Sequence, residues 1–158
     1  MVSKGLFYIN SFVKYVLILF MVTIVISVFC QVLFRFVINQ PLAWTEELSR
    51  YSLVWLTFLG AAYAASLKGH ISIDFFVKKL PLILQKGVMI IVAIICFYFF
   101  YILMSEGMAL ARQSMTQLSP VLRLPMGYVY SVIPISGFLL TLNYIYHTYL
   151  FVIGKEEM

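Results

Sequence analysis

Residues 15–36 read YVLILFMVTIVISVFCQVLFRF, a run of twenty-two positions with a single charge, Arg35. As an α-helix rising ~1.5 Å per residue it reaches ~33 Å, enough to cross a hydrocarbon core of ~30 Å. Lys4 and Lys14 precede it. A signal peptide would have a shorter apolar core and a small-residue cleavage site, and neither is evident, so the run reads as a retained helix.

Three further apolar runs follow, Tyr51 to Leu67, Gly87 to about Met108, and Gly127 to Ile153. Across the 158 residues, 63% are hydrophobic and 11% charged. A soluble domain carries about 45–50% apolar and ~25% charged residues, and a chain this short could not hide the excess from water. The expected fold is an all-α integral membrane protein, one membrane domain over 1–158. Its four transmembrane helices are placed at about 15–36, 51–67, 87–108 and 127–153. Short amphipathic segments at the interface are expected at 42–50, behind Pro41, and at 71–80. In the second, Ile73, Phe76, Val77 and Leu80 share one helical face, with Asp74, Lys78 and Lys79 away from it. Pro134 removes a backbone donor from the fourth run and should kink it.

The formal charge of +5 is spread through the links rather than gathered on one face, which argues against nucleic acid as a partner. It reads as orientation instead. With four spans, Lys4, Lys14, Lys68, Lys78, Lys79, Lys86 and Lys155 fall on one side, and Arg35, Arg50, Arg112 and Arg123 on the other. The larger group places both termini in the cytoplasm. Ion pairs, which suit a planar guanidinium, would account for the arginines. Cys30 and Cys96 lie in apolar runs at different depths, so no disulfide is expected.

Two patterns suit helix packing. Thr23, Ser27, Gln31 and Arg35 recur every fourth residue on the first helix; against lipid such a stripe is costly, so it should meet protein, within this chain or from a partner. On the second, Gly60 with Ala64, Ala61 with Ala65, and Ala62 with Ser66 form a small-residue face. Phe97 to Tyr101 are all aromatic and should fill grooves or face lipid. Glu46, Glu47 and Arg50 are the sharpest charged cluster, with Glu46 and Arg50 at helical i,i+4 spacing.

Catalysis finds little here. An intramembrane metalloprotease would need histidines beside its glutamate, whereas His70 and His147 fall on the opposite side from Glu46 and Glu47. The two histidines share a level and so admit a haem or metal, with interfacial hydrogen bonding as the plainer role. No phosphate-cradling loop or nucleophile–base pair is present, and few polar groups fall near the midplane, where a transport path needs them. The chain is therefore expected to be neither an enzyme nor a transporter by itself, but a subunit. A stand-alone small transporter would have to build its path by oligomerisation.

The stretch FRFVINQPLAWTEELSRYSLVWLTFLGAAYAASLKGHISID resembles the small membrane subunit, DctQ-like, of the tripartite ATP-independent periplasmic (TRAP) transporters. The residues that carry the resemblance are Arg35, Trp44, Glu46, Glu47, Arg50, Trp55, Phe58 to Ala62, Gly69 and His70. In LRLPMGYVYSVIPISG they are Pro125, Tyr128, Pro134 and Gly137. Ser66–Leu67–Lys68 departs from the many relatives with an arginine before the glycine–histidine pair. The resemblance implies a scaffold in a bacterial inner membrane, beside a large subunit that moves substrate and binds sodium ions. A periplasmic protein would deliver an organic acid, with sialic acid favoured over a C4-dicarboxylate. It implies no catalytic residues and no cofactor in this chain. Thr23, Ser27, Gln31, Gly60, Ala61, Ala64 and Ala65 are expected to pack within this chain or against the large subunit, and Arg35, Trp44, Glu46, Glu47, Arg50, Arg112 and Arg123 to order the periplasmic surface or help dock the binding protein, with membrane lipid as the remaining partner.

Overall fold

The computed structural model describes residues 2–40, 42–67 and 82–152. The expected amphipathic segment 71–80, together with Lys68, Gly69, His70, Lys78, Lys79 and Lys155, lies outside the described residues. Within them the chain is helical, α1 Val2–Phe36, α2 Ala43–Ser66, α3 Leu82–Gln113, α4 Met126–Tyr130 and α5 Val132–Val152, with a 3-10 turn at Ser114–Thr116.

The helices run past the boundaries expected from hydropathy. Helix α1 starts at Val2 rather than near Tyr15, since Lys4, Asn10 and Lys14 interrupt apolarity without interrupting backbone hydrogen bonding. The segment 42–50 and the run 51–67 are not separate elements; they form the single helix α2. The i,i+4 pairs Glu46–Arg50 and Glu47–Tyr51 support its first turns, and the second straddles the expected boundary. Helix α3 extends to Gln113, with Arg112 in its last turn, where a cation suits the helix dipole. The fourth run breaks at Ser131 into α4 and α5. Pro134 explains the break, because it has no N–H to give the Tyr130 carbonyl and its ring crowds that oxygen.

Gly5–Phe36, Ile90–Thr116 and Met126–Thr148 are long and apolar enough to cross a membrane. Helix α2, at 24 residues, has the length, ~36 Å, but its first two turns carry Glu46, Glu47 and Arg50. The expected count of four spans is thus met in helices, while three meet the apolar criterion.

The main helix contacts join α1 to α2, α2 to α5, and α5 to α3, so α2 and α5 lie between two outer helices. Val13 of α1, Leu59 and Ala62 of α2, and Val132 and Leu139 of α5 form the core, flanked by Phe20 and Trp55 with ring centroids 5.6 Å apart. The aromatic cluster of α3 divides: Phe97 and Phe100 pack on Tyr144 of α5 at 5.2 and 5.8 Å, while Tyr98, Phe99 and Tyr101 face outward.

Among the described glycines, the tightest surroundings fall on α3 and its neighbours α4 and α5, while on the small-residue face of α2 Ala62 is buried in the core. A Cβ on Gly107 would meet Ile133 Cγ2 at 2.8 Å, one on Gly137 would meet Leu103 Cβ at 3.1 Å, and one on Gly127 would overlap the Ala111 carbonyl oxygen. On α2, Ala61 and Ala64 are exposed, and a Cβ on Gly60 would find Leu17 Cδ2 at a comfortable 3.9 Å. Gly127→Val should therefore destabilise the protein by ~1–3 kcal/mol, whereas Gly60→Ala should change stability by less than ~0.5 kcal/mol. Thermal unfolding in mild detergent checks this; equal losses would mean that close approach does not govern the α3–α4 contact.

Candidate functional site: the arginine-bearing end of the bundle

The end of α1, the start of α2, the end of α3 and the loop 117–125 meet at one end of the molecule, and they carry all four arginines. The loop is a tight reversal. Ser119 N–H donates to the Leu124 carbonyl at 2.9 Å, Leu124 N–H to Ser119 Oγ at 3.1 Å, and Met126 N–H to the Gln117 carbonyl at 2.8 Å. Arg123 takes φ 54°, a left-handed conformation that is uncommon outside glycine. The reversal turns the consecutive N–H groups of Val121 and Leu122 toward α2, and both donate to Glu47 Oε2 at 2.9 Å. Tyr51 Oη donates to Glu47 Oε1 at 2.5 Å, and the buried Ser119 hydroxyl also donates to this carboxylate.

Glu47 is 7% exposed. Burial alone would push its pKa up, but the hydrogen bonds from Ser119, Tyr51, Leu122 and Val121 outweigh burial and bring it down from the ordinary 4.5 to about 2. It is a structural anion, holding the α3–α4 loop against α2. Glu46 differs entirely. It pairs with Arg50 at 2.8 Å, with both side chains well over half exposed, an arrangement worth ~0–1 kcal/mol. The paired glutamates thus divide into one that orders the surface and one that is displayed on it.

The remaining expected residues also divide. Trp44, Arg112 and Arg123 are exposed at this end. Arg35 is exposed with its guanidinium 5.7 Å from the Phe36 ring centroid. Among the described residues Arg50 alone forms an ion pair, so pairing does not account for the other three arginines. Along α1, Ser27 is buried, Gln31 is half-buried, and Thr23 returns its hydroxyl to the Leu19 carbonyl at 2.9 Å. Gly60, Ala61, Ala64 and Ala65 lie in the half of α2 away from this end.

Sequence reading missed the main polar tie at the other end. Asn10 Nδ2 donates to Asn143 Oδ1 at 2.8 Å, and Asn143 Nδ2 donates back to Asn10 Oδ1 at 3.2 Å and to the Ala62 carbonyl at 3.3 Å. One amide pair so links α1, α2 and α5. A lone asparagine in an apolar helix was the available signal, since an unpaired amide in lipid is costly. Nearby, His147 Nε2 lies 3.3 Å from the Ser66 carbonyl oxygen. Cys30 and Cys96 are free, and no group of three metal-binding side chains gathers among the described residues.

Long apolar helices packed on one another, three of them able to cross a membrane, define a membrane component. Residues 24–152 match the family described as tripartite ATP-independent periplasmic transporters, DctQ component, and the chain belongs to that family, whose members are transporter components and not enzymes. It is 33% identical over 138 residues to a TRAP transporter small permease protein of Haemophilus influenzae, covering 85% of this chain and 83% of that one. Two longer relatives are the isethionate TRAP transporter permease protein DctMQ of Oleidesulfovibrio alaskensis, 28% identical over 134 residues, and the sialic acid TRAP transporter permease protein SiaT of Haemophilus influenzae, 23% identical over 127 residues. The matches cover 80% and 78% of this chain but only 21% of each relative.

Glu47→Gln should release the loop, with backbone amide exchange at Val121 and Leu122 on the order of tenfold faster, while Glu46→Gln leaves it unchanged. The folded pKa of Glu47 is depressed, so its contribution is complete above the unfolded value near 4.5 and is lost as pH falls toward about 2. Loop protection measured by hydrogen exchange should therefore persist at pH 5 and fade through about pH 4.5 to 2. A loop that opens equally in both variants would refute the assignment.

Proposed function

We propose that this chain is the small permease subunit of a secondary, sodium-driven uptake transporter for an organic acid. It scaffolds a large transport subunit that carries the sodium sites, and its arginine-bearing end helps to dock a periplasmic binding protein. The family match carries this reading. Two features of the chain support it: the ordered surface around Glu47, and buried polar side chains that tie helices together or return to the backbone, as Asn10–Asn143 and Ser136 do. The relatives' names span isethionate and sialic acid, so the narrower preference for sialic acid over a C4-dicarboxylate draws nothing from residues of this chain.

The proposed topology has α2 as the fourth span, both termini in the cytoplasm of a bacterium with an inner membrane, and all four arginines in the periplasm. The uneven distribution of lysine and arginine supports it.

Purification in mild detergent should bring down a large multi-span subunit in fixed ratio. Uptake into liposomes should require that subunit, and transport by this chain alone would defeat the scaffold reading. A fluorescent reporter after Met158 should be active in the cytoplasm, whereas phosphatase activity from a periplasmic fusion would invert the topology.

A further inference from the structure

Glu106 stands exposed on α3, and the helix contacts fix its height in the bundle. Helices α2 and α5 run side by side, with Asn143 on the Ala62 carbonyl and His147 on the Ser66 carbonyl, an offset of 81 residues in both cases. The same offset sets Pro134 level with Leu53. Gly107 packs against Ile133 and Pro134, so its neighbour Glu106 lies at that height too. Helix α2 runs from Ala43 to Ser66, with its midpoint between Val54 and Trp55. At ~36 Å it only just exceeds a hydrocarbon core of ~30 Å, so as a span it sets the bilayer midplane within ~3 Å of that midpoint. Glu106 therefore falls about two residues, ~3 Å, from the midpoint of the span.

Other charges at the membrane have a way out, and Glu106 has none. Leu17 lies against Gly60 and Phe20 near Trp55, which places Lys14 ~10–13 Å below the midpoint, where its long stem reaches the headgroups. Arg50 is ~7 Å above the midpoint and pairs with Glu46, nearer the surface. A glutamate side chain is too short to cover the ~15 Å from the midplane to either surface. Among the described residues nothing forms a hydrogen bond or ion pair with Glu106. A lone carboxylate against lipid tails at this depth is costly, and such groups face protein and pair. Glu106 also borders a groove of about 370 Å³ walled by Ile102, Leu103, Leu110 and Ile133, with the small Ala109 at its edge.

We propose that Glu106 and this groove receive a membrane helix of the large permease subunit that carries a lysine or arginine at mid-membrane height. The proposal rests on the scaffold reading, with α2 as the fourth span, and names the contact that reading leaves open. Charge selects the occupant. Lipid tails offer no cation. A second copy in the same membrane offers none at this height among the described residues, since its Lys14 lies well below and its Arg50 is already paired with Glu46. In the isethionate and sialic acid permeases, the segment matching this chain is 21% of a longer polypeptide, so further permease chain accompanies it there. The pair also fixes the register of the two subunits, because a slip of one helical turn, ~5 Å, parts the charges in lipid.

The test expresses the full chain with its large subunit. Glu106→Leu removes the carboxylate without crowding the groove, and Ala109→Trp fills the groove while keeping the carboxylate. Each should lose about tenfold or more of the large subunit that co-purifies in mild detergent. The purified small chain carrying Glu106→Leu should keep or raise its thermal midpoint, since an apolar side chain replaces a charge that the bundle does not use. A photoreactive benzoylphenylalanine at Ile102 or Leu110 should give an adduct that mass spectrometry identifies as the large subunit. Wild-type recovery by Glu106→Leu, or adducts at both positions to lipid or a second copy alone, would overturn the contact while leaving the scaffold reading intact. A lowered midpoint would assign Glu106 to the bundle itself and overturn the contact as well. Failure of the wild-type chain to bring down any large subunit would overturn both.

Discussion

The Glu47 carboxylate joins the two halves of the molecule at its charged end. It is buried, and it stays ionised because two backbone N–H groups and two hydroxyls donate to it. Each side of this arrangement requires the other. A carboxylate out of water needs donors, and a reversal with two adjacent inward N–H groups needs an acceptor. Together they bind the α3–α4 loop to the start of α2, and so fix where Arg112 and Arg123 stand relative to Glu46, Arg50 and Trp44.

Below that end, glycines determine the packing. Gly107, Gly127 and Gly137 let α3 and the two helices that follow it approach to backbone contact, which in lipid replaces the hydrophobic drive available in water. Toward the other end the Asn10–Asn143 pair performs a different task, because an amide pair specifies one partner where methyl groups accept many. The bundle is thus close-packed where residues are small and specified where they are polar.

Class and helix positions were legible because apolar run length responds to bilayer thickness, and residues 15–36 alone carry that signal. Boundaries were not, because hydropathy reports where the environment changes and the backbone reports where hydrogen bonding stops. Lys14 marks the first kind of boundary in α1 and Val2 the second. The division between Glu46 and Glu47 was equally hidden. Adjacent helical residues point ~100° apart, so one faces the loop and its neighbour faces water, but the loop's own shape arises seventy residues downstream. The small residues of α2 divide in the same way, Ala62 facing the core while Ala61 and Ala64 are exposed, because spacing cannot say which side of a small-residue face meets a neighbour.

The same distance sets an order of events during synthesis. Glu47 precedes its amide donors at Val121 and Leu122 by 74 and 75 residues. At ~5–20 residues per second, the ribosome needs ~4–15 s to cover that gap. Through that interval α1 and α2 can already pair as a hairpin, since their contacts need only a short link, but the Glu47 side chain has only water and Tyr51 to answer it. The start of α2 therefore carries an anion without its backbone donors until Leu122 has been made, and closure of the loop over that anion comes after the first two helices and the third.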